Sequence, residues 1–289
     1  MNYRHAYHAG NFCDVLKHAL LADIITYLRL KPGAFRAIDC HAGIGLYDLG
    51  AEGPQKTGEW REGIGRLADC IHPPRPEVPS ALLPWLDAVA AFNPDKGLRV
   101  YPGSPALLRH MARPVDRLTL VELHAEDFAA LAARYAGDHQ VKVIELDGWM
   151  ALKAFVPPKE RRGLVLLDPP FELPGDFERL AEGLLAAHAR WPTGIYLLWY
   201  PIKERDAGTG LAHALTAAGV PRLLDVALWV RTRSGTRLDG SGLIVVNPPY
   251  RLTERFTPAL AFLAARLAQG PGAGYAMRPL TDEAGNALP

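Results

Sequence analysis

Between residues 117 and 202 the chain alternates apolar runs, "RLTLVELH", "VKVIELDG", "RGLVLLDPPF" and "GIYLLWYPI", with amphipathic segments such as "AEDFAALAARYA" and "DFERLAEGLLAAHARW". Strands joined each time by a helix-length segment pair in parallel, because only a long crossover returns the chain to start the next strand beside the last. An earlier run, "FRAIDCHAGIG" at 35–45, reads as a further buried strand entering a glycine turn. The later runs "RLLDVALWVRT" and "SGLIVVNPPY" share only the short polar link "RSGTRLDG" and read as an antiparallel hairpin. Five alternating strands and a closing pair predict an α/β chain with a seven-stranded, mostly parallel sheet.

The remaining stretches set the boundaries. Residues 11–30 place Val15, Leu16, Leu20, Ile24 and Leu28 at helical spacing, and "KPG" stops the helix. From about 50 to 100 helical patches are separated by "HPPRPEVPS" without a clear strand, which predicts a helical insertion between the first and second strands. The division expected is a main domain of 1–46 and 100–289 with an insertion at 47–99, and a loosely held tail after Gly270. No apolar run reaches the roughly 18 residues of a membrane helix, and "MNYRHAYHAG" has no apolar signal core, so a soluble, cytoplasmic chain is expected. Cys13, Cys40 and Cys70 lack disulfide or zinc spacing and read as buried thiols, with no metal expected. A net charge of +1 restricts any nucleic-acid surface to a local patch.

Ligands of such sheets lie beyond the carboxyl ends of the strands. The first strand delivers Asp39, His41, Gly43 and Gly45. Its turn is not a dinucleotide fingerprint, because Asp48 stands where a third glycine belongs and the next strand-end acid, Glu122, is far beyond. Glu122 suits the hydroxyls of a ribose, and Asp147 with Gly148 suits the amino edge of an adenine. Together they describe an adenosine-shaped site on a sheet whose strand count is that of the S-adenosyl-L-methionine-dependent methyltransferases.

The fourth strand delivers Asp168, Pro169, Pro170 and Phe171, residue types that fit methylation of the exocyclic amine of a planar base. That nitrogen's lone pair is delocalised into the ring. The Asp168 carboxylate and Pro169 carbonyl can hold its two hydrogens, with Asp168 taking a proton, while Phe171 stacks on the base for about 1–3 kcal/mol. The second proline pair, "NPPY" at 247–250, closes the hairpin beyond the cofactor-binding series and reads as a structural turn. The amino-terminal "YRHAYHAGNFCDVLKH" interleaves Tyr3, Arg4, His5, Tyr7 and His8 with Lys17 and His18, as a phosphate-and-base surface requires, after an Asn11 or Asp14 able to cap the helix. "KERR" at 159–162 and Arg231, Arg233 and Arg237 rank below it as solvated charges.

"YRHAYHAGNFCDVLKH", "DCHAGIG", "YPGSP", "VELH", "LDGW", "LDPPF" and "GIYLLWYPI", in this order from residue 3 to about 250, resemble the RlmJ family of bacterial 23S ribosomal RNA adenine-N6 methyltransferases. The resemblance implies a Rossmann-like class I fold with the insertion between the first two strands. It also implies S-adenosyl-L-methionine contacts from Lys17, His18, His41, Ser104, Glu122, Asp147, Gly148 and Asp168, with Asp168 as proton acceptor and Tyr3 and His5 near the RNA. Phe171 stands where the family commonly has Tyr, so stacking is kept and a hydroxyl contact is not. A paired base is out of reach, so the target adenine is expected single-stranded or extruded. Rival readings are an amine methyltransferase acting on DNA adenine or RNA guanine, a non-catalytic RNA-binding protein keeping the fold, and a nicotinamide oxidoreductase.

Overall fold

Along the strand at 163–167, Leu164 and Leu166 face one core layer and Val165 and Leu167 the other, all fully buried. This is the signature of a strand covered on both faces, and it explains the continuous apolar run in the sequence. The computed structural model describes residues 4–73, 75, 77–203 and 208–288. In chain order the elements begin with α1 (Phe12–Arg29), β1 (Arg36–Asp39), β2 (Leu46–Asp48), α2 (Glu52–Thr57), α3 (Ala68–Ile71), α4 (Leu83–Ala91), β3 (Val100–Pro102) and α5 (Ser104–Met111). They continue with β4 (Arg117–Glu122), α6 (Ala125–Arg134), β5 (Val141–Glu145), α7 (Gly148–Phe155), β6 (Gly163–Leu167), α8 (Asp176–Arg190) and β7 (Ile195–Ile202). The last are α9 (Thr209–Ala217), β8 (Leu223–Trp229), β9 (Gly240–Val246), α10 (Leu252–Leu267) and β10 (Gly274–Pro279).

The main sheet runs β10-β8-β9-β7-β6-β1-β4-β5. Strands β5, β4, β1, β6 and β7 are mutually parallel, and β9 is antiparallel to both β7 and β8. All five parallel strands therefore end at one edge. Side chains of α1, α5, α6 and α10 fill one layer of core and those of α7, α8 and α9 the other. Helix α1 is apolar nearly all round, as a helix enclosed by protein must be, and packs on α4, α5, α10 and β9. The Asn11 side chain caps it, accepting from the Cys13 and Asp14 amides at 2.9 and 3.0 Å. The hairpin and the Rossmann-like class I layout agree with the reading of the sequence, and all three cysteines are buried and free.

The strand count differs from the seven expected. Residues 274–279 add an eighth strand, β10, antiparallel to β8. The tail after Gly270 is tied down: the Thr281 hydroxyl donates to the Val220 carbonyl at 2.8 Å and accepts from the Leu223 amide at 2.9 Å, and Arg278 bonds Asp225 at 2.9 Å. Its short sequence, with an arginine and a proline, is typical of an edge strand and carries little periodicity. The stretch expected to lack strands is bracketed by a small antiparallel ribbon, β2 with β3, placing Tyr47 opposite Tyr101. Three residues per strand leave no alternation to read. Between them Ile64, Leu67, Leu82, Trp85 and Val89 join the same core layer as α1. Among the described residues, no helix is long and apolar enough to cross a membrane.

Truncation after Gly270 uncovers the outer edge of β8. The truncated chain is expected to lose roughly 1–3 kcal/mol of stability in urea unfolding, whereas a loosely held tail predicts an unchanged midpoint.

Candidate active site

The shared edge of the parallel strands opens on a cavity of about 340 Å³ lined by His41, Glu122, Asp147, Gly148, Trp149 and Asp168 among others. Glu122, at the end of β4, braces the glycine turn after β1: it accepts from the Gly43 amide at 2.8 Å and from the His124 amide at 2.8 Å. Gly43 turns with φ +60°, a region open to glycine at little cost. Asp147 caps α7 by accepting from the Trp149 amide at 2.9 Å. At Gly148 a Cβ would lie 2.3 Å from the Cys40 carbonyl oxygen and 2.6 Å from His41 Nε2, so no larger residue fits the approach of these two turns.

His41 Nδ1 accepts from the Asp168 amide at 3.3 Å, which places the ring proton on Nε2. Burial pushes its pKa down to about 4, so the ring is neutral near pH 7. It meets the Trp149 ring edge-on at 5.7 Å, and the Arg179 guanidinium lies 5.0 Å above that indole. The lining is acidic, with the carboxylates of Glu122, Asp127, Asp147, Asp168, Glu172 and Asp176 against the single guanidinium of Arg179.

A second cavity of about 570 Å³ adjoins the first, sharing His5, Asp168, Pro170 and Glu172 and adding Lys17, Phe171, Trp199 and Lys203. Asp168 stands on the common wall, 14% exposed. Phe171 takes φ +50°, uncommon for a bulky side chain, and packs its ring on Phe177 at 4.6 Å and Trp199 at 5.6 Å. Lys17 Nζ pairs with Asp168 Oδ2 and lies 2.8 Å from Asp14 Oδ1. Burial opposes the ammonium, yet the two carboxylates hold Lys17 above the ordinary lysine range.

The predicted residues thus divide. His41, Glu122, Asp147, Gly148 and Asp168 line the first cavity, Lys17, Asp168 and Phe171 the second, and His5 both. Pro169 joins Asp168 to Pro170 and lines neither. His18 is buried 2.8 Å from the Tyr101 hydroxyl, its pKa pushed down to about 3 by burial, and lines neither. Ser104 is buried at the start of α5 and also lines neither. Tyr3 lies outside the described residues. The cations of the amino-terminal stretch bond carboxylates of this chain: Arg4 with Glu126 and Asp127, His5 with Asp14, His8 with Glu59. Sequence reasoning passed over Trp149, Arg179, Trp199 and Lys203. The tryptophans and Lys203 sit in or beside apolar runs, and Arg179 within a helix surface. Asp14 was legible, since it precedes Lys17 by three residues on one helix face.

The second proline pair sits at the other edge of the sheet. Because β9 runs against β7, Asn247 lies beside the start of β7, with φ +54°, and its side chain donates to the carbonyls of Pro192 and Gly194 at 2.8 and 2.7 Å. By the same geometry β8 runs with β7, so the link carrying Arg231, Arg233 and Arg237 emerges beside the second cavity, where Leu238 forms part of the wall. "KERR" falls at the opposite edge, with Arg36 bonded to Glu160 at 2.9 Å.

The fold is Rossmann-like, and the family it matches is one of methyltransferases. A solved structure of a Legionella pneumophila protein, LPL1258, superposes with a TM-score of 0.86 at 29% identity, covering 94% of this chain and 98% of that one. The family model described as "Ribosomal RNA large subunit methyltransferase D, RlmJ" matches residues 32–278. The Escherichia coli K12 protein "Ribosomal RNA large subunit methyltransferase J" is 39% identical over 277 residues, 96% of this chain and 97% of that one. The Haemophilus influenzae protein of the same name is 36% identical, over 98% of this chain and all of its own length, 100%. The chain belongs to the RlmJ family of ribosomal RNA large subunit methyltransferases.

Asp39 lies fully buried behind the first cavity, and its Oδ2 finds no hydrogen-bond partner among the described residues. Burial raises its pKa from 3.8 to about 6. Its contribution to stability is complete below the unfolded value and is lost as pH rises through about 6. Asp39→Asn is therefore expected to raise the melting temperature of the ligand-free protein at pH 8 and to leave it unchanged at pH 3.5, checked by calorimetry at both.

Proposed function

We propose that this protein transfers a methyl group from S-adenosyl-L-methionine to the N6 amino group of a specific adenine in 23S ribosomal RNA. The observation that carries the reading is the meeting of two cavities at Asp168, one acidic and one aromatic. The acidic lining fits a cofactor bearing a sulfonium and an ammonium and repels a phosphate-bearing dinucleotide. His41, Glu122, Asp147 and Gly148 are the residues that would hold it, with Asp168 at the end facing the target. When bound, the cofactor supplies an electrophilic methyl group.

The chain's own residues do the rest. The Asp168 carboxylate accepts a hydrogen bond from the amine, draws the nitrogen toward tetrahedral geometry and frees its lone pair. Asp168 takes the proton released as the new N–C bond forms. Phe171, braced by Phe177 and Trp199, offers an aromatic surface to the base, and the strained turn that presents it is paid for by that packing. Lys17 pairs with Asp168 beside the cavity the amine enters. The main domain of 1–46 and 100–289 carries both cavities, and the insertion at 47–99 closes the far bank of the second through Glu59. The exposed Arg233 and Arg237, with Lys203 at the rim, suit the phosphates flanking an extruded adenine.

Mapping N6-methyladenosine in ribosomal RNA from cells with and without the gene tests the reading. One adenine of 23S RNA should lose its mark, and a lost mark on DNA or on guanine would reassign the substrate. Asp168→Ala is expected to lower turnover at least 100-fold while still binding S-adenosylhomocysteine, and Asn247→Ala to stay within about 3-fold of wild type; the reverse pattern would exchange the roles of the two proline turns. RNA stripped of ribosomal protein is expected to accept labelled methyl faster than mature subunits in a filter assay.

A further inference from the structure

Asp14 reaches the second cavity from the first turn of α1, where the helix dipole favours a carboxylate, and is 1% exposed. Its Oδ2 accepts from the Gly10 amide at 2.9 Å and lies 3.0 Å from His5 Nε2. Its Oδ1 lies 2.8 Å from Lys17 Nζ, and Lys17 continues to Asp168. One carboxylate thus grips the ring that borders both cavities and the ammonium that neighbours the reacting acid.

We propose that Asp14 is a positioning residue for methyl transfer, clamping His5 at the junction of the two cavities and sharing Lys17 between two carboxylates. The inference rests on the methyl-transfer reading of Asp168. A buried ammonium with no other partner would settle on Asp168 and compete with the incoming amine for its lone pairs. With Asp14 drawing on the same ammonium, Lys17 is held on Asp168 Oδ2 and leaves Oδ1 to the incoming amine. The arrangement also couples the imidazole of His5 to the ammonium of Lys17. His5 faces Asp14, Lys17 and Asp168, with the Tyr47 ring 5.4 Å away; burial lowers its proton affinity, Asp14 and Asp168 raise it, and Lys17 lowers it.

Asp14→Asn keeps the shape and removes the charge. The variant is expected to bind S-adenosylhomocysteine within about 2-fold of wild type, because Asp14 does not line the first cavity, and to transfer methyl to ribosomal RNA at least 10-fold more slowly in single turnover. By NMR titration the His5 ring, assigned by loss of its signal in His5→Gln, should titrate lower in Asp14→Asn and higher in Lys17→Met. Single-turnover transfer within 2-fold of wild type, or an unmoved His5 titration in Asp14→Asn, overturns the proposal. Should Asp14→Asn not fold, the Lys17→Met titration decides: a rise supports the shared carboxylate and no rise refutes it. If the wild-type protein transfers no methyl to ribosomal RNA, the function proposed above fails, and the titrations alone then support or refute the clamp.

Discussion

A buried ammonium between two carboxylates, Asp14–Lys17–Asp168, joins the first helix to the turn after the fourth parallel strand. Desolvating three charges is costly, and such a cluster persists only where geometry and further hydrogen bonds repay it. Here the repayment comes from the Gly10 amide and from a helix start fixed by its Asn11 cap. The cluster therefore requires α1 to be seated before Asp168 has its partner. That dependence gives the amino-terminal stretch, distant in sequence from the turn after β6, a direct contact with its carboxylate.

The direction of the strands does the remaining sorting. Two almost identical segments, each an apolar run ended by a polar residue and two prolines, have opposite fates because β6 and β9 point opposite ways in one sheet. The first delivers its carboxylate to the edge where the four other parallel strands end. The second delivers an amide to the far edge, where its donors are consumed by backbone carbonyls. The same argument lifts the arginine-bearing link between β8 and β9 from a solvated loop to a neighbour of the second cavity.

Much of this was legible in the sequence. Strand-helix alternation gives the parallel sheet and its functional edge, and the residue types at the strand ends name the acidic cavity. What escaped has physical causes. Strands β2 and β3 are too short for a period of two to register, and β10, half-exposed and carrying an arginine and a proline, forms by covering a neighbour that lies about fifty residues earlier. Trp199 is read from sequence as one more apolar strand residue, although its ring turns toward Phe171. Arg4, His8 and Lys17 read as a surface for phosphate, yet each meets a carboxylate brought from elsewhere in the chain, a pairing that only tertiary structure discloses, while His5 meets Asp14 of the same stretch.

The edge strand β10 also orders events in time. During synthesis β8 and β9 emerge before the segment that covers them, and the apolar flank of β8 stays open to any strand that meets it until β10 follows. Closure of the sheet thus waits for β10, and a nascent chain cut before that strand stays sticky at one border.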